Sequence, residues 1–137
     1  MVDGDEILVS VNSDAPWGHA ARNQLMPAAR GDALLFIDDD DAYVEGALDV
    51  VRARFAEVPD RVHVFRMRYA DGRELWQLPE VACGNVSTQM VIAPRSVGLL
   101  GQWGSRYEGD FDFIAATCWL LGQPLFHEDV IALVRPE

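Results

Sequence analysis

The 137 residues carry 22 acidic side chains against 11 basic ones, a formal net charge of −11, and half of them are hydrophobic. That is too much apolar material for a disordered chain and enough for one domain with a core, while the negative balance argues against a nucleic-acid backbone as main partner, since such binding runs on cationic neutralisation of phosphates. Every base is an arginine, so chemistry that needs a lysine, such as a P-loop or a Schiff base, is excluded. The charge does admit a metal cation. No apolar run approaches the ~20 residues of a membrane helix, and the acidic start "MVDGDE" carries no secretory signal, so cytoplasmic residence is the default expectation.

In chain order, Glu6–Asn12 ("EILVSVN") reads as a short buried strand and Ser13–Gly18 as a loop. His19–Arg30 reads as a helix that Pro27 kinks or shortens. Ala33–Ile37 ("ALLFI") is apolar on both faces and suits the middle of a sheet covered by helices. Val44, Leu48, Val51 and Phe55 recur every three to four residues and predict a helix over Val44–Val58. Arg61–Tyr69 is a strand, Ala70–Gly72 a hairpin turn and Arg73–Leu78 the return strand. A loop, Leu78–Asn85, precedes a strand over Val86–Ala93, and Pro94 opens a short helix. Gln102–Gly109 is a polar, aromatic loop. Asp110–Gly122 is a helix with Asp110 near its N-cap and Gly122 past its end, and a last strand region follows. Cys83 and Cys118 fit no metal spacing and read as buried small hydrophobes. Alternating helices and strands without repeats predict an α/β fold with residues 1–137 as one domain.

Four consecutive aspartates, Asp38 to Asp41, follow the strand-like "ALLFI". Ligands of open α/β sheets sit at the carboxyl ends of strands, and carboxylates crowded there raise one another's pKa unless a cation neutralises them. A hard divalent ion with oxygen ligands does this. A solvated turn in which Asp41 caps the next helix accounts for one aspartate and leaves three unexplained. A helix–loop–helix calcium site needs alternating ligands, a central glycine and a terminal glutamate, which "DDDDAYVEGALD" lacks. Dehalogenase-type phosphatases and receiver-type phosphoacceptor domains both need a lysine that this chain does not have. The Asp-x-Asp of nucleotide-sugar glycosyltransferases survives.

The stretch His19–Leu48 resembles the central block of the large inverting glycosyltransferase family with the A-type fold, family 2-like. The elements that carry the resemblance are Ala21-Arg22-Asn23, then Ala29-Arg30-Gly31-Asp32, the apolar Leu34–Ile37 and Asp38-Asp39-Asp40-Asp41, in that order. A second block, Glu108–Leu125, is similar to the family's Glu-Asp helix start: Gly109 stands where the glutamate would be, Asp110 matches the aspartate, and Phe111 and Asp112 continue it. The resemblance implies a single Rossmann-like A-type domain, a mixed sheet flanked by helices. The family's opening βαβ unit is missing from this chain unless Asn12–Asp14 replaces part of it, so an N-terminally reduced form is implied, with an exposed sheet edge that favours self-association into a homo-oligomer.

The chemistry so implied is transfer of a sugar from a nucleoside-diphosphate donor to an acceptor hydroxyl, with inversion. Asp38 and Asp40 would hold a divalent cation, Mn2+ or Mg2+, against the leaving diphosphate. Arg22 is a second candidate for the diphosphate, with a helix-surface ion pair as its other reading; Asp39 and Asn12 complete the donor-binding candidates. Asp110 is the candidate general base, with a plain N-cap as the alternative, and Asp112 points elsewhere on the helix. Trp103 is either a stacking platform for a sugar or a core tryptophan. Gly84 and Asn85 lie in a loop near the expected donor sugar, and His127 is the one late histidine that could ligate the metal. His19 and His63 read as structural. A non-catalytic sugar-, metal- or partner-binding domain with the same fold is the alternative to an enzyme, and a metal-dependent phosphoryl or nucleotidyl transferase is a third reading.

Overall fold

The computed structural model describes residues 5–9, 19–95, 98, 100–104, 106 and 108–135. In chain order its helices are α1 (His19–Leu25), α2 (Ala47–Glu57) and α3 (Gly109–Leu121); its strands are β1 (Ala33–Leu35), β2 (Ala42–Tyr43), β3 (His63–Tyr69), β4 (Glu74–Leu75), β5 (Val91–Pro94) and β6 (Leu125–Val134). They form one mixed sheet in the order β1-β5-β3-β6-β2, with β4 paired to β3. The β3–β6 pair is parallel and the other pairs are antiparallel. No described helix is long and apolar enough to cross a membrane.

The core lies on and around β3, β5 and β6. Val64, Phe65, Ile92, Ile131 and Ala132 are fully buried. Two helices cover it through regular spacings. Ala47, Val51 and Phe55 form the buried stripe of α2, and Gly109, Phe113, Ile114, Thr117 and Cys118 that of α3. Pro27 shortens α1 as expected: the α-helix stops at Leu25 and a 3-10 turn, Met26–Ala28, follows. The expected hairpin forms, with Gly72 at φ 89° and Met67 opposite Leu75.

Several expectations need correction. The apolar "ALLFI" is not a central strand. Only Ala33–Leu35 is extended, and among the described residues it ends the strand order, with β5 as its antiparallel neighbour. Residues 5–9 form no strand, and Ile7 and Val9 are 67% and 72% exposed; Asp5 pairs with Arg52 and Glu6 accepts from the Arg30 and Gly31 amides. The remainder of that expected strand, and the loop after it, lie outside the described residues. The strand over Val86–Ala93 begins as a 3-10 turn, Thr88–Met90. Pro94 closes β5 instead of opening a helix, and Ser96, Val97 and Leu99 of that expected helix fall outside the described set. Cys83 is exposed, whereas Cys118 is buried. The two-residue β2 was not foreseen, and it matters most for the site. Phe36–Asp41 joins β1 at one end of the strand order to β2 at the other. The pairing of Ala42 with Leu133 brings the acidic segment beside the end of β6.

Candidate active site

The acidic segment leaves β1 beside the start of β5 and enters β2 beside the end of β6, so side chains distant in sequence converge on the aspartates. The Asp41 N–H donates to the Asp38 carbonyl at 3.2 Å, closing a tight turn with Asp39 and Asp40 at its corner. The turn gathers Asp38, Asp40 and Asp41 so that one carboxylate oxygen of each lies within 4.8 Å of the others. Asp39 is exposed and outside this cluster. Asp41 does not cap α2, whose N-cap is Gly46. It accepts instead from the Gln89 side-chain amide and, at 2.8 Å, from the Arg135 N–H.

Each of the other two clustered aspartates faces an arginine. Arg22 donates from Nη2 to Asp38, and Arg135 donates from Nε to Asp40 at 3.1 Å. Burial raises the Asp38 pKa; Arg22 opposes the rise, and Asp41 and Asp40 reinforce it. Arg22 is itself buried, which lowers its pKa, and Asp38 and Asp110 act against that. Its guanidinium is further placed by His19 Nδ1 at 3.0 Å and by the Trp103 ring, 4.8 Å from its centroid. The first helix therefore aims one arginine between the acidic turn and the start of α3. Asn23, the next residue, holds the Trp103 backbone. Its side chain donates to the Trp103 carbonyl at 2.8 Å and accepts the Trp103 N–H at 2.7 Å.

Asp110 lies in the first turn of α3, after an N-cap at Glu108, and lines the same cavity as the acidic turn and Arg22. Ser87 Oγ donates to its Oδ2 at 2.9 Å and the Phe111 N–H to its Oδ1 at 2.7 Å. Asp112 is engaged elsewhere: Arg106 grips it with two bonds of 3.0 and 2.6 Å and holds its carboxyl below the usual range.

Three other candidates do not join this group. Trp103 is 3% exposed, stacked 4.6 Å from Phe113 and edge-on to Phe36, so it is a core tryptophan and offers no face to a sugar. His127 is not set beside the aspartates. Its Nε2 lies 2.9 Å from His63 Nδ1 and its ring stacks on Phe65, and the metal-capable cluster among the described residues does not include it. Asn85 organises its own loop, accepting from the Gln77 N–H and donating to the Leu78 and Glu80 carbonyls. Gly84, at φ 85°, lines the cavity. Asn12 lies outside the described residues.

The oxygens of Asp38, Asp40 and Asp41 suit a hard divalent cation. Beside them the buried Gln89 keeps Oε1 without a hydrogen-bond partner while its amide nitrogen bonds Asp41. An orphaned buried carbonyl oxygen one amide away from three carboxylates fits a cation site. Sequence reasoning missed Arg135, Ser87 and Gln89, and gave Asn23 no role of its own. Only the pairing of Ala42 with Leu133 signals Arg135, because it carries the end of β6 up to the acidic turn.

A match to the family described as Glycosyl transferase family 2 covers residues 6–117. The fold is similar to the crystal structure of S. aureus TarS 1-349, with a TM-score of 0.67 at 19% identity over 92% of this chain and 42% of that one. Structures of the same TarS fragment in complex with UDP and with UDP-GlcNAc match at TM-scores of 0.61 and 0.61, 19% and 18% identity, over 91% and 94% of this chain and 41% of each of those. The chain thus spans well under half of those structures. Among curated proteins none matches it.

Proposed function

The chain belongs to glycosyl transferase family 2, and on that premise we propose that its 137 residues form one domain that transfers a sugar, with inversion, from a nucleoside-diphosphate donor to an acceptor hydroxyl. The observation that carries the reading is the opening of the acidic turn, Arg22 and Asp110 onto one cavity. Asp38 and Asp40, with Asp41 beside them, would hold a divalent cation, Mn2+ or Mg2+, which when bound supplies positive charge to the donor's diphosphate. Arg22 supplies a fixed, forked cation from the protein itself; buried among His19, Trp103 and Asp38, it costs little reorganisation to use.

Asp110 takes the acceptor's proton. Ser87 and the Phe111 N–H each occupy one lone pair of its carboxylate, which fixes the group in space and leaves further lone pairs for the proton. A single base on a rigid helix start, lining the same cavity as the cation site, matches a one-step displacement that inverts the sugar carbon. TarS has been crystallised with UDP and UDP-GlcNAc, which makes a uridine-diphosphate sugar the first donor to try.

The test is release of nucleoside diphosphate from a panel of nucleotide sugars with manganese present. Release that disappears in Asp40→Ala and in Asp110→Asn is the expected result. A protein that binds no nucleotide in the presence of metal refutes the reading. One that binds nucleotide equally well with and without Asp110, and never turns it over, is a binding domain on the same fold.

A further inference from the structure

Arg135 follows the last strand and is absent from every sequence-level argument for the site. It is the one non-glycine residue with positive φ among the described residues, at 47°, a left-handed backbone that a side-chain-bearing residue holds only when its surroundings impose it. The constraint is visible: its N–H is fastened to Asp41 Oδ1 at 2.8 Å. From that pivot the guanidinium reaches Asp40 Oδ2 through Nε at 3.1 Å. The side chain is nevertheless 79% exposed and lines the cavity. It is anchored at the backbone, loosely held at the tip, and placed on the carboxylate that a cation needs.

We propose that Arg135 is a transferable counter-ion: with the site empty it neutralises Asp40, and when cation and donor enter it leaves Asp40 and binds the donor's diphosphate. The inference rests on the glycosyltransferase reading and adds a donor-binding residue to it. The physics is a charge exchange. Asp40 cannot give its Oδ2 fully to both a guanidinium and a divalent cation, and the cation carries the greater charge at shorter range. The displaced guanidinium, still tethered by its own N–H, stays within side-chain reach of the turn. The newly arrived group there that demands positive charge is the diphosphate, whose oxygens match the guanidinium fork. Arg22 cannot make the same exchange easily, because it is buried and braced on three sides, whereas Arg135 is exposed and held by one side-chain bond.

The exchange makes a prediction with two opposite signs. In the full chain, Arg135→Ala removes a competitor for Asp40, so manganese alone, followed by its paramagnetic resonance signal, binds about two- to fivefold more tightly, the range of an exposed ion pair. The same variant in saturating manganese binds UDP about tenfold more weakly, the scale of one charge-assisted bond to phosphate. Arg135→Lys keeps the charge without the fork and recovers part of the UDP affinity. A purely structural role for Arg135 would weaken both bindings, and a thermal melt of each variant checks that it is folded. Manganese and UDP affinities that fall together, or that both stay unchanged, overturn the proposal. Wild-type protein that takes manganese but no nucleotide refutes the glycosyltransferase reading and this inference with it; wild-type protein that binds both, with the opposite-sign pattern missing in Arg135→Ala, refutes this inference alone.

Discussion

Gly109 stands where the family pattern places a glutamate, and its packing explains why no side chain occupies that position. A Cβ there would lie under 3.0 Å from the Gly104 carbonyl oxygen and from two atoms of the His19 ring, Cγ at 2.9 Å among them. Two effects compete in Gly109→Ala. Removing a helical glycine stabilises by up to ~1 kcal/mol, less in a first turn. Overpacking costs about 1–3 kcal/mol, and the upper end applies because one obstacle is backbone and the other is a ring already bonded to Arg22. The clash wins, and the net loss is about 1–2 kcal/mol. For a chain of this size that is a fall in Tm of roughly 4–8 °C, read equally from the urea midpoint at unchanged slope. Gly109→Glu should be worse, since it adds bulk and a further carboxylate between Glu108 and Asp110. Displacing His19 also loosens Arg22, so nucleotide affinity should drop with stability in both variants. A Gly109→Ala protein as stable as the parent, or more so, would refute the packing argument.

Asp110→Asn keeps the shape of the side chain and removes its basicity, so kcat for diphosphate release should fall about 10²–10⁴-fold while donor KM stays within about twofold; a comparable rise in KM would move Asp110 from proton transfer to donor binding. His63 and His127 supply a pH dependence. Burial is the leading cause that lowers both pKa values from 6.5, and His63 adds to the lowering at His127. Because folding favours their neutral forms, the stability they contribute is present above about pH 6.5 and is lost as pH falls through the depressed folded values. Urea midpoints between pH 7.5 and 5 should decline, and the His63→Phe/His127→Phe double variant should show a shallower decline; equal slopes would remove the pair from the account. The two thiols should react very differently with a disulfide reagent. Cys83 is exposed and labels in the folded protein, whereas Cys118, buried and with its pKa pushed up to about 11, should label only on unfolding.

The local patterns were legible because their causes are local. Helical spacing in Val51 and Phe55, the proline that cuts α1 short, the turn at Ala70–Gly72 and the acidic run all depend on neighbours a few residues away. What failed depended on pairing across the chain. An apolar run such as "ALLFI" reads the same at the middle or the end of a sheet, and only its pairing with β5 settles that it comes last in the strand order among the described residues. Trp103 sits in a polar stretch and looked available, yet Asn23, from 80 residues earlier, pins its backbone and turns the ring inward. His127 was weighed as a ligand for the aspartates because it is late in the chain. The parallel β3–β6 register places it beside His63 instead, where the two rings stack 5.1 Å apart.

The acidic run shows the same division between local and distant causes, with a consequence for chemistry. Taken as a string, Asp38 to Asp41 is a block of four like charges that a cation alone could relieve. In the fold each member has a different fate. Asp38 meets Arg22 from α1, Asp40 meets Arg135 from the end of β6, Asp41 is held by the Gln89 amide and the Arg135 N–H, and Asp39 is exposed. Two arginines of the chain itself thus face the two carboxylates expected to ligate a cation. The same arrangement means that an entering cation competes with cations already there, and its apparent affinity is lowered by the free energy of those ion pairs. It also means that binding the cation sets the Arg135 guanidinium loose beside the place where a diphosphate would sit. Metal and nucleotide should consequently bind cooperatively here, each lowering the cost of displacing Arg135 for the other, and that coupling must be reciprocal.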